Sequence, residues 1–397
     1  MAEEGAPKWW PSGLVSPEAY ATWKGGPLMT QWGELQTWRY ETIFNVNEFQ
    51  RLLTSGEAWG EWPTHIKSVS VISNEEFGLL LDLNSTHVLC VYPILTGHDV
   101  SSLTLHEPYA TALADTPMVI PTAGIKNEYG DLCALFSCSP HSLSLQYTPD
   151  LHESLKIITK IHSALASLST PNTERAWNET LKSVEDELKT STLWRAPHSS
   201  FTLGLPSHHL SAELTISNPD GFMFIPLPRN VSEHLLFKTQ RFPSLSHVMN
   251  LEWDYVQHTS SLNREEERKL VIQAWKSQVP KEWASRSALS SMKGGAWIWR
   301  YHAVVRCLAQ ARAYGDEAKE ATCRAWLEDV SRVQAYLGNL RFVKGFTWVG
   351  LAGLVVAGYG HQLGWFSAVG EIAVIASSLL SSILGWWVPL HYQPKPW

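Results

Sequence analysis

At 397 residues, 44% of them apolar and 17% charged, the chain can bury a large core and is too apolar for extended disorder. A formal charge of −7 leaves no basic footprint for a phosphate backbone, so nucleic acid is not an expected partner. Five cysteines, Cys90, Cys133, Cys138, Cys307 and Cys323, lack the paired spacing of a zinc site and read as reduced thiols facing the cytosol.

The opening "MAEEGAPKWWPSG" is acidic, broken by proline and glycine, and has no apolar run of a secretory signal. Without such a signal, the sequons at Asn84, Asn178 and Asn230 carry no expectation of glycosylation. Residues 1–60 read as a Trp- and Gly-punctuated irregular arm with one short helix over Val46 to Leu53. The twenty tryptophans are scattered along the chain and read as core anchors and surface rims.

From His65 the texture changes. "IKSVSVIS", "FGLLLDLN" and "HVLCVYPI" are apolar, β-branched runs separated by turn residues, which predicts an antiparallel meander. A helix is predicted over Val100 to Asp115, then strands over "MVIPTAGI" and "DLCALFSC". Beyond Pro149 the period becomes helical: Leu151, Leu155, Ile158, Ile161, Leu165 and Leu168 line one face, with His162 beside them as a satisfied core histidine. A more polar helix over "ERAWNETLKSVEDELKT" is expected to present its charges to solvent. "GLPSHHLSAELTISNPDGFMFIPLP" then reads as a loop, a strand, a tight turn and a second strand. Asn263 and Glu266 form a capping box for the next helix, and further helices are predicted over Ala296 to Tyr314 and Glu317 to Leu337. Strands first and helices second predict an α+β fold.

The run "SNEEF" between two strands, "HVLCVYP", the helix bearing Glu107, "IPTAGI", "KIITKIHSALASL" and the "NPDG" turn together resemble the aminoglycoside phosphotransferase and fructosamine-kinase-like superfamily. "LLFKTQRFPSL" looks like the segment after the metal loop in fungal members. The resemblance spans roughly residues 60 to 330 and implies a bilobed protein-kinase-like fold: a small antiparallel sheet lobe over 61–145 and a larger helical lobe over 146–340. Phosphoryl transfer in such a fold needs a strand lysine, a helix acid to hold it, a catalytic aspartate and oxygen ligands for Mg²⁺. The family pattern puts Cys90 where the lysine belongs, and no Lys or Arg lies between Lys67 and Lys126. It puts Ser207, His208, His209 and Leu210 on the family's His-Gly-Asp-Leu, so that His209 replaces the catalytic aspartate. Leu214 falls on the metal-binding asparagine, and no acid lies between Asp220 and Glu233 where the second metal aspartate belongs. Only Glu107 remains of the set, and without its lysine it reads as a surface or hinge carboxylate.

Catalytic residues, cofactor ligands and metal ligands are therefore not expected, and Cys90, Glu107, His209 and Leu214 mark a degenerate site. Paired His208 and His209 could bind a transition metal, but a solvated or core-satisfied pair is the simpler reading. Serine-hydrolase, dinucleotide and Walker patterns are absent. An arginine or lysine gathered with two carboxylates around the cleft, from anywhere in the chain, would reverse the expectation of lost chemistry.

"FTWVGLAGLVVAGYG" (346–360) and "IAVIASSLLSSILGWWVPL" (372–390) complete the chain before the tail 391–397. The second is long enough to cross a hydrocarbon core of roughly 30 Å. Recurrent small residues permit close helix contact in lipid, and Trp386 and Trp387 lie where an interfacial belt would. Residues 341–390 are expected to anchor the protein in a membrane by one or two spans, with Arg341 and Lys344 keeping the main body cytosolic. With two spans the tail lies on the body's side, and with one it lies opposite. The competing expectation is a buried helical hairpin closing the large lobe. The sequence thus predicts a membrane-associated kinase-like pseudoenzyme that offers its cleft to a small molecule or a protein. The alternative is a divergent small-molecule phosphotransferase, or an accessory or tailoring factor in a fungal specialised-metabolite pathway.

Overall fold

A computed structural model describes residues 5–40, 45–145, 151–171, 174–190, 203–206, 209–218, 221–237, 241–258, 265–290, 292 and 295–392. The N-terminal sixty residues are more regular than expected. They carry α1 (Ala19–Thr22), a hairpin of β1 (Leu28–Thr30) and β2 (Gly33–Thr37), α2 (Val46–Leu52) and β3 (Glu57–Gly60). The Asn45 side chain caps α2 by accepting from the amides of Asn47 and Glu48. Trp9 and Trp10 are buried and meet Tyr20 and Trp23 edge-on, a geometry that complementary ring quadrupoles favour.

β4 (Val69–Glu75), β5 (Gly78–Leu83) and β6 (His87–Val91) form the expected meander. Asn84 sits at positive φ in the β5–β6 turn, where its side chain accepts from the amides of Lys67 and Ser68 and donates to His65. After β7 (Ile94–Leu95), the helix expected over 100–115 is two pieces, α3 (Ser102–Leu105) and α4 (Glu107–Leu113). Pro108 lacks an N–H and its ring would collide with the carbonyl one turn back, so a helix cannot run through it. β8 (Ala123–Asn127) and β9 (Gly130–Phe136) complete a six-stranded antiparallel sheet in the order β3-β8-β9-β6-β5-β4.

The near-continuous apolar runs of β5, β6 and β9 have a direct cause, because both faces of the sheet are covered. Leu79, Leu81, Leu83, Leu89, Val91 and Leu135 pack against the N-terminal arm, including Trp9 and Trp10. Leu80, Val88, Cys90, Ala134 and Phe136 point the other way.

β10 (Leu143–Ser144), α5 (Leu151–Ala164), β11 (Thr170–Pro171), α6 (Glu174–Leu188) and β12 (Leu203–Pro206) follow. α5 buries its expected stripe, and His162 is fully enclosed, hydrogen-bonded to His247 at 3.2 Å and accepting from the Trp275 indole. The charges of α6 are not all solvated: Glu185 is buried and accepts from the Tyr301 hydroxyl at 2.7 Å. β13 (His209–Asn218) and β14 (Gly221–Leu227) pair as the "NPDG" turn predicts, Asn218 opposite Gly221.

α7 (Val231–Leu236), β15 (Arg241–Pro243), α8 (Ser244–His258), α9 (Glu265–Lys276), α10 (Arg286–Leu289), α11 (Gly295–Tyr314) and α12 (Glu317–Glu328) build the helical core. The predicted cap at Asn263 lies outside the described residues, as do Ser207 and His208. Helix α8 was not expected from the sequence; it supplies Leu245, Val248, Met249, Leu251 and Trp253 to the core. Within that core Arg300 makes a buried two-pronged ion pair with Glu252, at 2.8 and 3.0 Å.

The helix predicted over 317–337 ends early, at Asp329. Its second half belongs instead to α13 (Val330–Gln362), which runs unbroken from the core into the apolar segment. α14 (Ala368–Tyr392) returns alongside it. Small residues set the approach: a Cβ on Gly350 would fall 2.3 Å from the Ser378 carbonyl oxygen, and one on Gly385 2.3 Å from the Thr347 amide. The Ser381 hydroxyl donates to the Phe346 carbonyl at 3.1 Å. The hairpin does not close the helical core, because fewer than one in five residues of either apolar window is buried. Trp348, Val355, Trp365, Ile372, Leu380 and Trp386 are all exposed. Both helices are long and apolar enough to cross a membrane.

Candidate functional site

Two of the four positions singled out by the family resemblance meet in the structure. Cys90 on β6 and Leu214 on β13 belong to one apolar cluster with Leu80, Val88, Tyr92, Phe136, Ile216, Ile225 and Leu227, all buried. The sheet thus lies directly on one face of the β13–β14 hairpin, while Phe222 and Phe224 on the other face enter the helical core. Backbone hydrogen bonds clamp the layers: Val119 donates to Phe224 at 2.8 Å, and Phe224 to Pro117 at 3.0 Å. Desolvation raises the Cys90 thiol well above its ordinary pKa, so the group is neutral and apolar in behaviour. Glu107 is elsewhere, exposed at the start of α4, where it accepts from the Thr111 hydroxyl at 3.3 Å. His209 opens β13 opposite Leu227.

Each large aliphatic side chain buried in this cluster contributes about 1.5–3 kcal/mol, so parting sheet from hairpin costs on the order of 10 kcal/mol as an upper bound. A ligand of millimolar to micromolar affinity supplies about 4–8 kcal/mol. Packing at Cys90 and Leu214 therefore wins over insertion of such a ligand between them.

Open space lies beside this cluster, in two adjoining chambers of about 70 and 50 Å³ that share Asn230 and Gln310. Neither is lined by Cys90 or Leu214. The smaller runs from Glu76 and Phe77 at the β4–β5 turn to Arg229, just after β14. The larger is walled by Glu233, His247, Asp254, Arg306 and Cys307.

Both arginines are engaged within the protein. Arg229 pairs with Asp99 at 3.0 Å and donates to the Thr96 carbonyl at 3.0 Å. Arg306 pairs with Glu233 and lies over the Phe237 and Phe242 rings, at 5.9 and 5.3 Å from their centroids. Burial lowers the Arg306 pKa to about 10. Counting Glu76, Asp99, Glu233 and Asp254, carboxylates outnumber guanidiniums around the groove, a field unfavourable to a polyphosphate. Among the described residues no group of three or more His, Cys, Asp or Glu is placed to hold a metal ion.

Sequence reasoning passed over Arg229, although it is the lone basic residue in the stretch searched for a metal aspartate. Its partner lies 130 residues upstream, and nothing local advertises that pairing.

Asp131 on β9 supports the same region. Its Oδ2 accepts from the amides of Val100 and Ser101, at 2.8 and 3.1 Å, while Oδ1 is buried without a partner. Burial raises its pKa, with the hydrogen bonds from Ser101 and Val100 opposing. The folded state thus holds this proton more tightly than the unfolded chain. The stabilisation is complete below the unfolded value and is lost as pH rises through the folded one. Asp131→Asn keeps an acceptor for the two amides and removes the buried charge. In thermal melts the variant should exceed wild type by about 1 kcal/mol near neutral pH, the gain vanishing toward acid. A pH-independent difference would rule out ionisation as its cause.

No family model matches the chain, and no curated protein matches its sequence. Solved structures do. A glucosamine kinase in one crystal form superposes with a TM-score of 0.51 at 11% identity, over 83% of this chain and 99% of that one. A glucosamine kinase in complex with glucosamine, ADP and inorganic phosphate gives a TM-score of 0.43 at 13% identity, over 68% of this chain and 82% of that one. At such identities the likeness speaks to architecture alone, and it gives this mixed α and β chain a kinase-like fold.

Proposed function

We propose that this protein is a membrane-associated, kinase-like pseudoenzyme, with a small sheet lobe over 61–145 and a helical lobe over 146–340. It offers the groove beside the lobe junction to a small molecule or a protein without transferring phosphate. The observation that supports the reading is the buried apolar cluster around Cys90 and Leu214, the two positions on which the resemblance puts a strand lysine and a metal ligand. The exposed apolar sides of α13 and α14 support insertion of the hairpin, with the body and the tail on the cytosolic side.

A second reading has the support that the sequence named in advance as its reversal: Arg306 lines the larger chamber together with Glu233 and Asp254, a basic residue gathered with two carboxylates, although its guanidinium is already paired with Glu233 and that of Arg229 with Asp99. A divergent small-molecule phosphotransferase, or a tailoring factor in a fungal specialised-metabolite pathway, could draw on that set. Fold likeness does not choose between the two. A thermal-shift titration does, because a ligand that binds only the native state stabilises it by mass action. With a Kd of about 10 μM, about 1 mM Mg·ATP adds about 2.7 kcal/mol, a shift of several degrees. The pseudoenzyme reading expects none. A Mg-dependent rise abolished by His209→Ala would establish the second reading instead.

A further inference from the structure

The exposed apolar band of the C-terminal hairpin is closed by polar groups at both ends, which gives it a definite extent. On α13 no charged or histidine residue lies between Lys344 and His361, which are 17 residues apart, or about 26 Å at the helical rise. On α14 the band opens at Glu371, which meets His361 at 3.0 Å, so the two helices share one far limit. They share the near limit as well. The Ser381 and Ser382 hydroxyls donate to the carbonyls of Phe346 and Thr347, at 3.1 and 3.4 Å, and this antiparallel register puts Trp386 and Trp387 level with Lys344. From Glu371 to Trp386 is 15 residues, or about 23 Å. The apolar run continues through Val388, Pro389 and Leu390, but these lie alongside the part of α13 held in the body. There the Tyr336 hydroxyl donates to the Tyr392 carbonyl, and Leu337, Leu340 and Pro389 are buried. The Arg341 guanidinium is fastened to the Met292 carbonyl at 2.8 Å, so α13 has no slack with which to lengthen the band.

We propose that this hairpin fits a thin bilayer, one with a hydrocarbon core of about 25 Å made of short or unsaturated chains and little sterol. The inference rests on the proposed insertion of the hairpin and adds which bilayer receives it. An average core is about 30 Å thick, that of the endoplasmic reticulum about 27 Å and that of a sterol-rich plasma membrane about 32–33 Å. A band too long for its bilayer can tilt, whereas tilting a short one only shortens it further. In the thickest of these membranes, Lys344 or the His361 and Glu371 pair is drawn into hydrocarbon, or the bilayer thins around the hairpin. Lys344 has a long stem with which to reach back to the surface, but His361 and Glu371 are shorter. Tryptophans mark the same two limits: Trp386 at the near one and Trp365 just beyond the far one, both exposed, as suits side chains that favour the headgroup level.

The exposed indoles of Trp348, Trp365, Trp386 and Trp387 serve as the probe. Full-length protein is reconstituted in dioleoylphosphatidylcholine brominated on its chains, which quenches indoles that touch lipid. Unbrominated dipalmitoleoyl-, dioleoyl- and dierucoylphosphatidylcholine, whose cores thicken in that order, then compete for the hairpin. Dipalmitoleoyl lipid is expected to relieve the quenching most and dierucoyl lipid least, with about a twofold difference in apparent affinity. Equal relief by all three, or strongest relief by dierucoyl lipid, overturns the thin-bilayer inference while leaving insertion in place. Absence of quenching means that the hairpin touches no acyl chains, and overturns both.

Discussion

Cys90→Lys, which puts a lysine on β6 where the family resemblance would have the phosphate-binding one, is expected to destabilise the protein by on the order of 5 kcal/mol and to create no nucleotide site. An enclosed lysine must either carry an unpaired charge among Leu80, Val88, Leu214 and Ile225 or give up its proton. Full burial depresses a lysine by several pKa units, each about 1.4 kcal/mol. Cys90→Ala, which removes only a sulfur, should cost about 1 kcal/mol. Urea unfolding of the two variants measures the difference as a shift in midpoint. A lysine variant as stable as wild type, with melting raised by Mg·ATP, would mean that sheet and hairpin part readily, and the pseudoenzyme reading would fall.

The second large effect concerns the C-terminal hairpin. Val355 and Leu380 are more than half exposed on α13 and α14. In water, lysine at either place would be harmless or would aid solubility, because an exposed apolar side chain gains nothing from its surroundings. In the middle of a bilayer each lysine costs about 2.5–3.5 kcal/mol on insertion scales. The double variant Val355→Lys/Leu380→Lys should therefore leave the carbonate-resistant membrane fraction, as should a chain ending at residue 340, while wild type remains. Full-length protein recovered in the soluble fraction would end the membrane proposal.

The sequence disclosed most where local pattern decides. Alternating and continuous apolar runs located β4, β5, β6 and β9, and the turn at Asn218 to Gly221 located the β13–β14 hairpin. Long-range partners decided the rest. The short strands of the N-terminal arm exist because β2 pairs with β7 and β3 with β8, contacts that no window of sequence contains. Helix α8 escaped notice because its polar residues interrupt a simple apolar stripe: Glu252 is buried only by virtue of Arg300, 48 residues on. At the site the sequence singled out Cys90 and Leu214, a thiol and an alkyl group that offer neither a fixed cation nor an oxygen ligand, and the structure buries the two in one cluster. Arg229 was not singled out, because its role comes from Asp99 and Thr96 on the far side of the sheet sequence.

Helix α13 has one further implication. Its first turns are fixed in the body, with Val330, Leu337 and Leu340 buried and the Arg341 guanidinium donating to the Met292 carbonyl at 2.8 Å. No proline interrupts it before it enters the hairpin. With that hairpin in lipid, body and anchor are one stiff strut rather than a ball on a tether. The groove then keeps a set height and bearing above the bilayer, and its mouth samples one layer of the adjoining solution instead of sweeping freely through it.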